Sequence, residues 1–300
     1  MKHLFIVNPK AGKVDAREEI RRKAEKLCDA LQEPFEVLVT EKPGDATEMA
    51  RTAGMTGQLT RLYACGGDGT LYEIVNGAIG YDNLAVTSIP CGSGNDFIKH
   101  FSNPSAFFDW KNFLDTRESR IDVMCVGDAV SVNVCSVGFD ARIGTNIDAY
   151  RRLPLLGGQR AYHASVVVNL IRGVAKPCRV EVCGEVIDEK LSLVCVCNGS
   201  WYGGSYNPIP EAKFDDGILD VLVVKKVSRL MVAKLISEYQ KGGYKNMPDQ
   251  IRHFRTDHVR ITTPEAEPVN LDGELIMSSD VNIQIEKGAL PLFAPRAAWK

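Results

Sequence analysis

The sequence has no long hydrophobic run; none approaches the roughly 20 apolar residues that cross a bilayer as a helix. The opening run, Leu4-Phe5-Ile6-Val7, is four residues long, too short for the core of a secretory signal. A cytoplasmic protein is expected, one that visits a membrane only peripherally. Net charge is also small: 36 Lys and Arg stand against 38 Asp and Glu, a balance of -2. That excludes broad nucleic-acid binding through a basic surface. The nine cysteines form no Cys-x-x-Cys pair, and Cys195-Val196-Cys197 is the nearest approach to one. Several (Cys65, Cys135, Cys195) sit in apolar, strand-like runs, so buried reduced thiols are expected. The five histidines show no metal-like spacing. Two nucleotide signatures are missing as well, Gly-x-x-x-x-Gly-Lys-[Ser/Thr] and Gly-x-Gly-x-x-Gly. Their absence sets aside standard P-loop NTPases and dinucleotide-binding dehydrogenases.

What the chain does carry is a change of pattern near residue 120. Before it, strand-like runs at 3–8, 35–39, 62–65 and 84–89 alternate with helical spacings at 15–32, 45–53 and 70–79. In the first helix Ile20, Ala24, Leu27 and Leu31 share a face, with Asp15 as the expected N-cap and Glu18 three residues on. This βα alternation predicts a parallel sheet with helices on both faces. After it come short β-branched runs at 121–126, 130–137, 178–183, 191–197, 218–224, 258–263 and 281–285. Turn signals such as Gly127-Asp128 and Gly184-Glu185 separate them, which predicts an antiparallel sandwich or barrel. Helical stretches interrupt it at about 140–173 and 228–241. The expected organisation is an α/β domain over 1–122 and a β-rich domain over 123–300; whether the last strand returns to the first domain is left open by the sequence.

Three loops carry the chemistry. Gly66-Gly67-Asp68-Gly69-Thr70 follows a strand and opens a helix. Its glycines let backbone amides approach a ligand closely, and the helix start presents unsatisfied N–H groups and a positive dipole end, which suits phosphate. Asp68 needs a mediator to meet phosphate: a Mg²⁺ ion, its water shell, or a ribose hydroxyl. Pro90-Cys91-Gly92-Ser93-Gly94-Asn95-Asp96-Phe97 leaves the next strand with the same logic, Asn95 or Asp96 reading locally as a helix cap. Asn8-Pro9-Lys10-Ala11-Gly12-Lys13 leaves the first strand, with Lys10 or Lys13 available to neutralise charge, and Thr40 ends the second. All four positions fall at the carboxyl edge of a parallel sheet, where ligands bind in open α/β folds. Late in the chain Asp272 and Glu274 flank a glycine, so a turn can present at least one carboxylate as a proton acceptor.

In order and spacing, Asn-Pro-x-x-Gly at 8–12, Gly-Gly-Asp-Gly-Thr at 66–70 and Pro-x-Gly-Ser-Gly-Asn-Asp-Phe at 90–97 resemble the diacylglycerol kinase catalytic family. Asp215-Asp216-Gly217-Ile218-Leu219 and Leu271-Asp272-Gly273-Glu274 resemble that family's later motifs, so the likeness runs nearly the whole chain. It implies an α/β domain like that of NAD kinases and phosphofructokinases followed by an antiparallel β-sandwich. It implies transfer of the γ-phosphate of ATP to a lipid hydroxyl, that of diacylglycerol or a related lipid. By position, ATP would meet Asn8, Pro9, Lys10, Ala11, Gly12, Thr40 and Ser93, together with Gly66, Gly67, Asp68, Gly69, Thr70, Leu71 and Tyr72. Glu274 would be the general base; Asp68 and Asp272 are the other candidate catalytic carboxylates. A structural Mg²⁺ would sit on the Asp216 carboxylate and the carbonyls of Lys213 and Ile218. The chain departs from the family at Ser93, where threonine is commoner, at Leu275, where proline is frequent, and at Cys91.

NAD kinases share the Gly-Gly-Asp-Gly-Thr loop, but they also use an Asn-Glu pair that this chain has nowhere. A non-catalytic nucleotide or lipid sensor is the other alternative, and the retained Asp68 and Glu274 speak against it. Tyr150-Arg151-Arg152-Leu153-Pro154-Leu155-Leu156-Gly157-Gly158 mixes basic and apolar groups and reads as either a membrane contact or a surface loop. A homodimer is the prior expectation for assembly.

Overall fold

The computed structural model describes residues 1–12, 15–143 and 174–299, without the side chains of 229 and 230. The chain opens as β1 (Lys2–Val7), α1 (Arg17–Leu31), β2 (Phe35–Val39), α2 (Asp45–Met55), β3 (Thr60–Gly66), α3 (Asp68–Ala78) and β4 (Leu84–Pro90). β1 pairs in parallel with β2 and β3, and β3 with β4. β1 and β3 are almost wholly buried, which is why they are near-continuous apolar runs. α1 buries Ile20, Ala24 and Leu27. Its start differs from the expected one: Ala16 occupies the cap without a side-chain bond. Asp15, one residue earlier, accepts the Arg17 N–H at 3.0 Å and pairs with the Arg17 guanidinium.

Short 3-10 turns at Phe97–His100, Pro104–Phe107 and Trp110–Leu114 lead to β5 (Thr116–Val126), β6 (Ala129–Ser131) and β7 (Val134–Gly138). Of the helix expected over 140–173, only a helical stretch at 139–143 is described; the remainder, including Tyr150–Gly158, lies outside the described residues, as does Lys13. The chain continues with β8 (Lys176–Val182), β9 (Glu185–Cys197), β10 (Leu219–Lys225), α4 (Arg229–Gln240), β11 (Ile251–Thr256), β12 (His258–Leu271) and β13 (Glu274–Pro295).

The described strands form one 13-stranded sheet, ordered β11-β10-β9-β7-β12-β13-β4-β3-β1-β2, with β5, β6 and β8 paired off this path. Most of its ladders are antiparallel, so the parallel strands are not a separate sheet. The continuity comes from β13, which has 22 residues where only 281–285 was expected. It pairs antiparallel with β12 and with β5, and its Leu292 ends parallel to Val86 of β4. Phe293 thereby meets Tyr63 edge-on at 5.1 Å, and Tyr63 stacks on Phe5 at 4.1 Å. β5 crosses the expected boundary near 120–125 unbroken, paired with β13 on either side. A second apolar cluster fills the sandwich around Val180, Val196, Val221, Ile261 and Ile283. A third lies against α4, with Leu222, Val224, Leu235 and Tyr239.

His100 ties the turn after β4 to the sandwich. Its Nδ1 accepts the Ser200 N–H at 3.2 Å, so the proton sits on Nε2, which donates to Asn133 Oδ1 at 2.8 Å. Burial pushes its pKa down to about 4, against the Asn133 bond, which raises it. The folded value lies below the ordinary one, so folding favours the neutral ring. That stabilisation is complete above pH ~6.5 and is lost as pH falls toward ~4. Urea unfolding should therefore show roughly 3 kcal/mol of acid destabilisation across this window, absent in His100→Asn. Equal acid slopes in the two proteins would refute this origin.

Candidate active site

The three loops meet at the carboxyl edge of β1, β3 and β4, backbone against backbone. Gly12 adopts φ +82°, and a β-carbon there would stand 2.4 Å from the Cys91 carbonyl oxygen. One on Gly92 would stand 2.6 Å from the Gly67 Cα. No larger residue fits either place without moving main chain. Asn8 fastens the first loop to the second, donating from Nδ2 to Thr70 Oγ1 at 3.2 Å while its Oδ1 accepts the Lys10 N–H at 3.0 Å. Thr40 is held beside them by its N–H to the Val7 carbonyl at 2.9 Å.

Asp68 stands at the first turn of α3 and accepts the Asp96 N–H at 2.6 Å. Burial, then the neighbouring Asp96 carboxylate, raise its pKa; the N–H groups of Asp96 and Phe97 oppose the rise. Asp96 is not the simple cap that its local sequence indicates. Its carboxylate accepts from Lys99 Nζ at 2.6 Å and from the Gly204 N–H at 2.8 Å, joining the third loop to a turn of the sandwich.

Across the cleft, Leu271 pairs with Glu274, so Asp272-Gly273 is a two-residue hairpin turn. Both residues have positive φ, +52° and +103°, the condition Asp-Gly meets well. The Asp272 carboxylate accepts the N–H groups of Val132, Asn133 and Val134 at 2.7, 3.0 and 2.8 Å. Burial pushes it up to about 6, and these donors oppose that. The Asp272 carboxylate thus holds the hairpin onto the β6–β7 connection. Glu274, at the exposed tip, places Oε1 3.0 Å from where a β-carbon on Gly69 would sit.

The resulting cleft is about 750 Å³. Among the expected residues it is lined by Asn8, Lys10, Ala11, Gly12, Thr40 and Ser93, by Gly67, Asp68, Gly69 and Thr70, and by Asp272 and Glu274. Pro9, Gly66, Leu71 and Tyr72 are not on its wall. Leu71 is buried in the apolar core that holds Phe5, Tyr63 and Phe293, and Tyr72 packs on the sandwich, because helical periodicity turns α3 inward there. Not foreseen were Lys42, a second cation on the wall beside Lys10, and Glu73, which accepts the N–H groups of Gly44 and Ala46 at 2.9 and 3.1 Å at the start of α2. The signal for Lys42 was its place two residues past Thr40.

At the expected Mg²⁺ set of Lys213, Asp216 and Ile218, the Asp216 carboxylate already has partners. Asp216 accepts the Ile218 N–H at 3.1 Å and pairs with the Arg255 guanidinium at 2.8 Å, which takes the place of a cation. Among the described residues no cluster of three or more His, Cys, Asp or Glu could hold a metal.

Behind the hairpin lies a second cavity of about 380 Å³, largely apolar, with Phe139, Leu193, Val224, Leu235 and Leu275 on its wall. It shares Gly203 and Gly273 with the polar cleft. The hairpin tip divides the two, Glu274 facing the cleft and Leu275 the cavity.

The family model of the diacylglycerol kinase catalytic domain matches residues 2–135, and that of the YegS C-terminal NAD kinase beta sandwich-like domain matches residues 133–294. A protein of Chromohalobacter salexigens, named as a probable YegS-like lipid kinase, is 30% identical over 98% of this chain and 93% of its own. A candidate lipid kinase of Staphylococcus carnosus is 25% identical over 77% of this chain and 76% of its own. A crystal structure from Bacillus anthracis, that of a candidate diacylglycerol kinase, superposes with a TM-score of 0.77 at 27% identity, covering 99% of this chain and 98% of that one. Matched along nearly its whole length by domain models and relatives alike, the chain belongs to the diacylglycerol kinase-like lipid kinases, a family of phosphotransferases.

Proposed function

We propose that the protein transfers the γ-phosphoryl group of ATP, with Mg²⁺, to the hydroxyl of diacylglycerol or a related lipid. The observation that carries this reading is the shared wall: a polar cleft built on a helix N-terminus meets an apolar cavity at the Gly273–Leu275 tip. ATP phosphates bind over the loops and the start of α3, with Lys10 and Lys42 offsetting their charge. Mg²⁺ bound with ATP neutralises charge on the transferring group, and Asp68, a part-buried carboxylate beside Asp96, is the residue that would hold it. The lipid tail occupies the apolar cavity, which leaves its hydroxyl at the tip. Glu274 takes the proton from that hydroxyl as the oxygen attacks phosphorus. Asp272 keeps the tip in register.

The test is transfer of radiolabel from ATP to lipids in mixed micelles, with NAD as a counter-substrate. Label entering a lipid, and lost in Asp68→Ala, supports the reading; label entering NAD overturns it.

The same reading places a membrane at the cavity side. Among the described residues no helix is long and apolar enough to cross a bilayer. Leu275, Ile276 and Met277 are nevertheless exposed in sequence, Met277 at 62%, next to the cavity wall. Burying one such side chain in lipid contributes about 1.5–3 kcal/mol. Met277→Glu should therefore weaken sedimentation with phospholipid vesicles by about tenfold or more. Unchanged sedimentation would place the contact elsewhere.

A further inference from the structure

One wall of the apolar cavity is polar. Asp140, Tyr202, Tyr239 and Asn270 all line it. Tyr239 and Tyr202 meet hydroxyl to hydroxyl at 2.9 Å, and the Tyr202 hydroxyl lies 3.1 Å from Asp140 Oδ2. Asp140 Oδ1 accepts the Ala141 N–H at 2.6 Å, and the Ser136 hydroxyl also bonds this carboxylate. Ser136 Oγ accepts from Asn270 Nδ2 at 3.3 Å, and Asn270 Oδ1 accepts the Gly273 N–H at 2.8 Å. A continuous chain of hydrogen bonds thus runs from Tyr239 to the residue preceding Glu274. Asp140 lies deep in the protein yet keeps accessible surface, because it opens on the cavity.

Proton accounting decides what this wall can bind. Three donors converge on Asp140, the set that suits an ionised carboxylate; burial raises its pKa, and these donors and Arg142 oppose the rise. Tyr202 has one proton, which it gives to Asp140. Tyr239 then donates its own to Tyr202 and is left with acceptor lone pairs. The capacity that remains at Asp140 and Tyr239 is for accepting, while Asn270, beside Gly273, keeps one further Nδ2–H to donate. A diacylglycerol has no donor apart from the hydroxyl to be phosphorylated, since its two esters only accept.

We propose that the Asp140–Tyr202–Tyr239 wall binds a second hydrogen-bond donor on the lipid (a hydroxyl, an amide N–H or an ammonium) and so selects such lipids over 1,2-diacylglycerol. This rests on the lipid-kinase reading above. A substrate without the donor displaces water from these acceptors and leaves them unpaired, a loss of about ten- to a hundredfold.

The cleanest probe is 1,2-diacylglycerol against its analogue with the sn-2 ester oxygen replaced by N–H, matched in both tails. A 1-monoacylglycerol and a sphingoid base distinguish the hydroxyl and ammonium sources. The expected result is a kcat/KM for at least one donor lipid about tenfold or more above the ester. In Tyr239→Phe and Asp140→Asn, checked for folding by thermal melting, that ratio should collapse toward one. An ester that equals or beats every donor lipid, or a ratio unchanged in both variants, overturns the proposal but leaves the kinase reading intact. If wild type binds ATP and phosphorylates no lipid, the kinase reading fails instead. The preference is then read by displacement of a fluorescent lipid, on the same criteria.

Discussion

Replacing Glu274 with glutamine lowers turnover by about a hundred- to ten-thousandfold while ATP binding is retained. The amide keeps the shape of the side chain and its place above Gly69 but cannot take a proton from an alcohol. An alcohol at neutral pH is a poor nucleophile, and the loops already position the phosphates, so the missing proton acceptor falls on kcat rather than on nucleotide affinity. Single-turnover transfer with a saturating lipid, alongside calorimetric titration of ATP, separates the two. A loss of only a few-fold in the chemical step would remove Glu274 from the role of base.

Asp272→Ala is the second large effect, and it acts on stability before it acts on rate. Three backbone N–H groups end on that carboxylate in a site that is 9% exposed. Each buried donor left without a partner costs about 1–3 kcal/mol, so the variant should lose about 3 kcal/mol or more in urea unfolding. The hairpin tip would shift with it, and activity should fall even where the protein remains folded. Asp272→Asn keeps one acceptor oxygen and should lie between the two in stability. An alanine variant as stable as wild type would show that water replaces the carboxylate, and that the hairpin is held by its strand pairing alone.

Much of this site was legible because its chemistry is local. The glycines, Asn8, Asp68 and Ser93 each follow a strand by one to a few residues, and the carboxyl ends of parallel strands share one edge whatever the rest of the chain does. Local sequence does not show what Asp96, Asp272 and Asp216 hold. Their partners are Gly204, Val132–Val134 and Arg255, distant in sequence, and no window around a carboxylate reveals which donor will face it. Leu71 and Tyr72 continue the Gly66–Thr70 motif in sequence, but the 3.6-residue period of α3 turns them inward.

Sequence alone determined the order of elements through residue 90, the glycine loops at the strand ends and the Asp-Gly turn that carries Glu274, since each depends on propensity or backbone conformation within a few residues. Tertiary structure decided that β13 runs from the sandwich into the parallel strands, and so made one sheet of two expected ones. It also placed Glu274 over Gly69, and the Asp140–Tyr202–Tyr239 wall on a cavity that opens beside it. These placements depend on strand partners and packing between segments far apart in the chain, where pairing is chosen by the fit of whole surfaces, not by any residue's own preference.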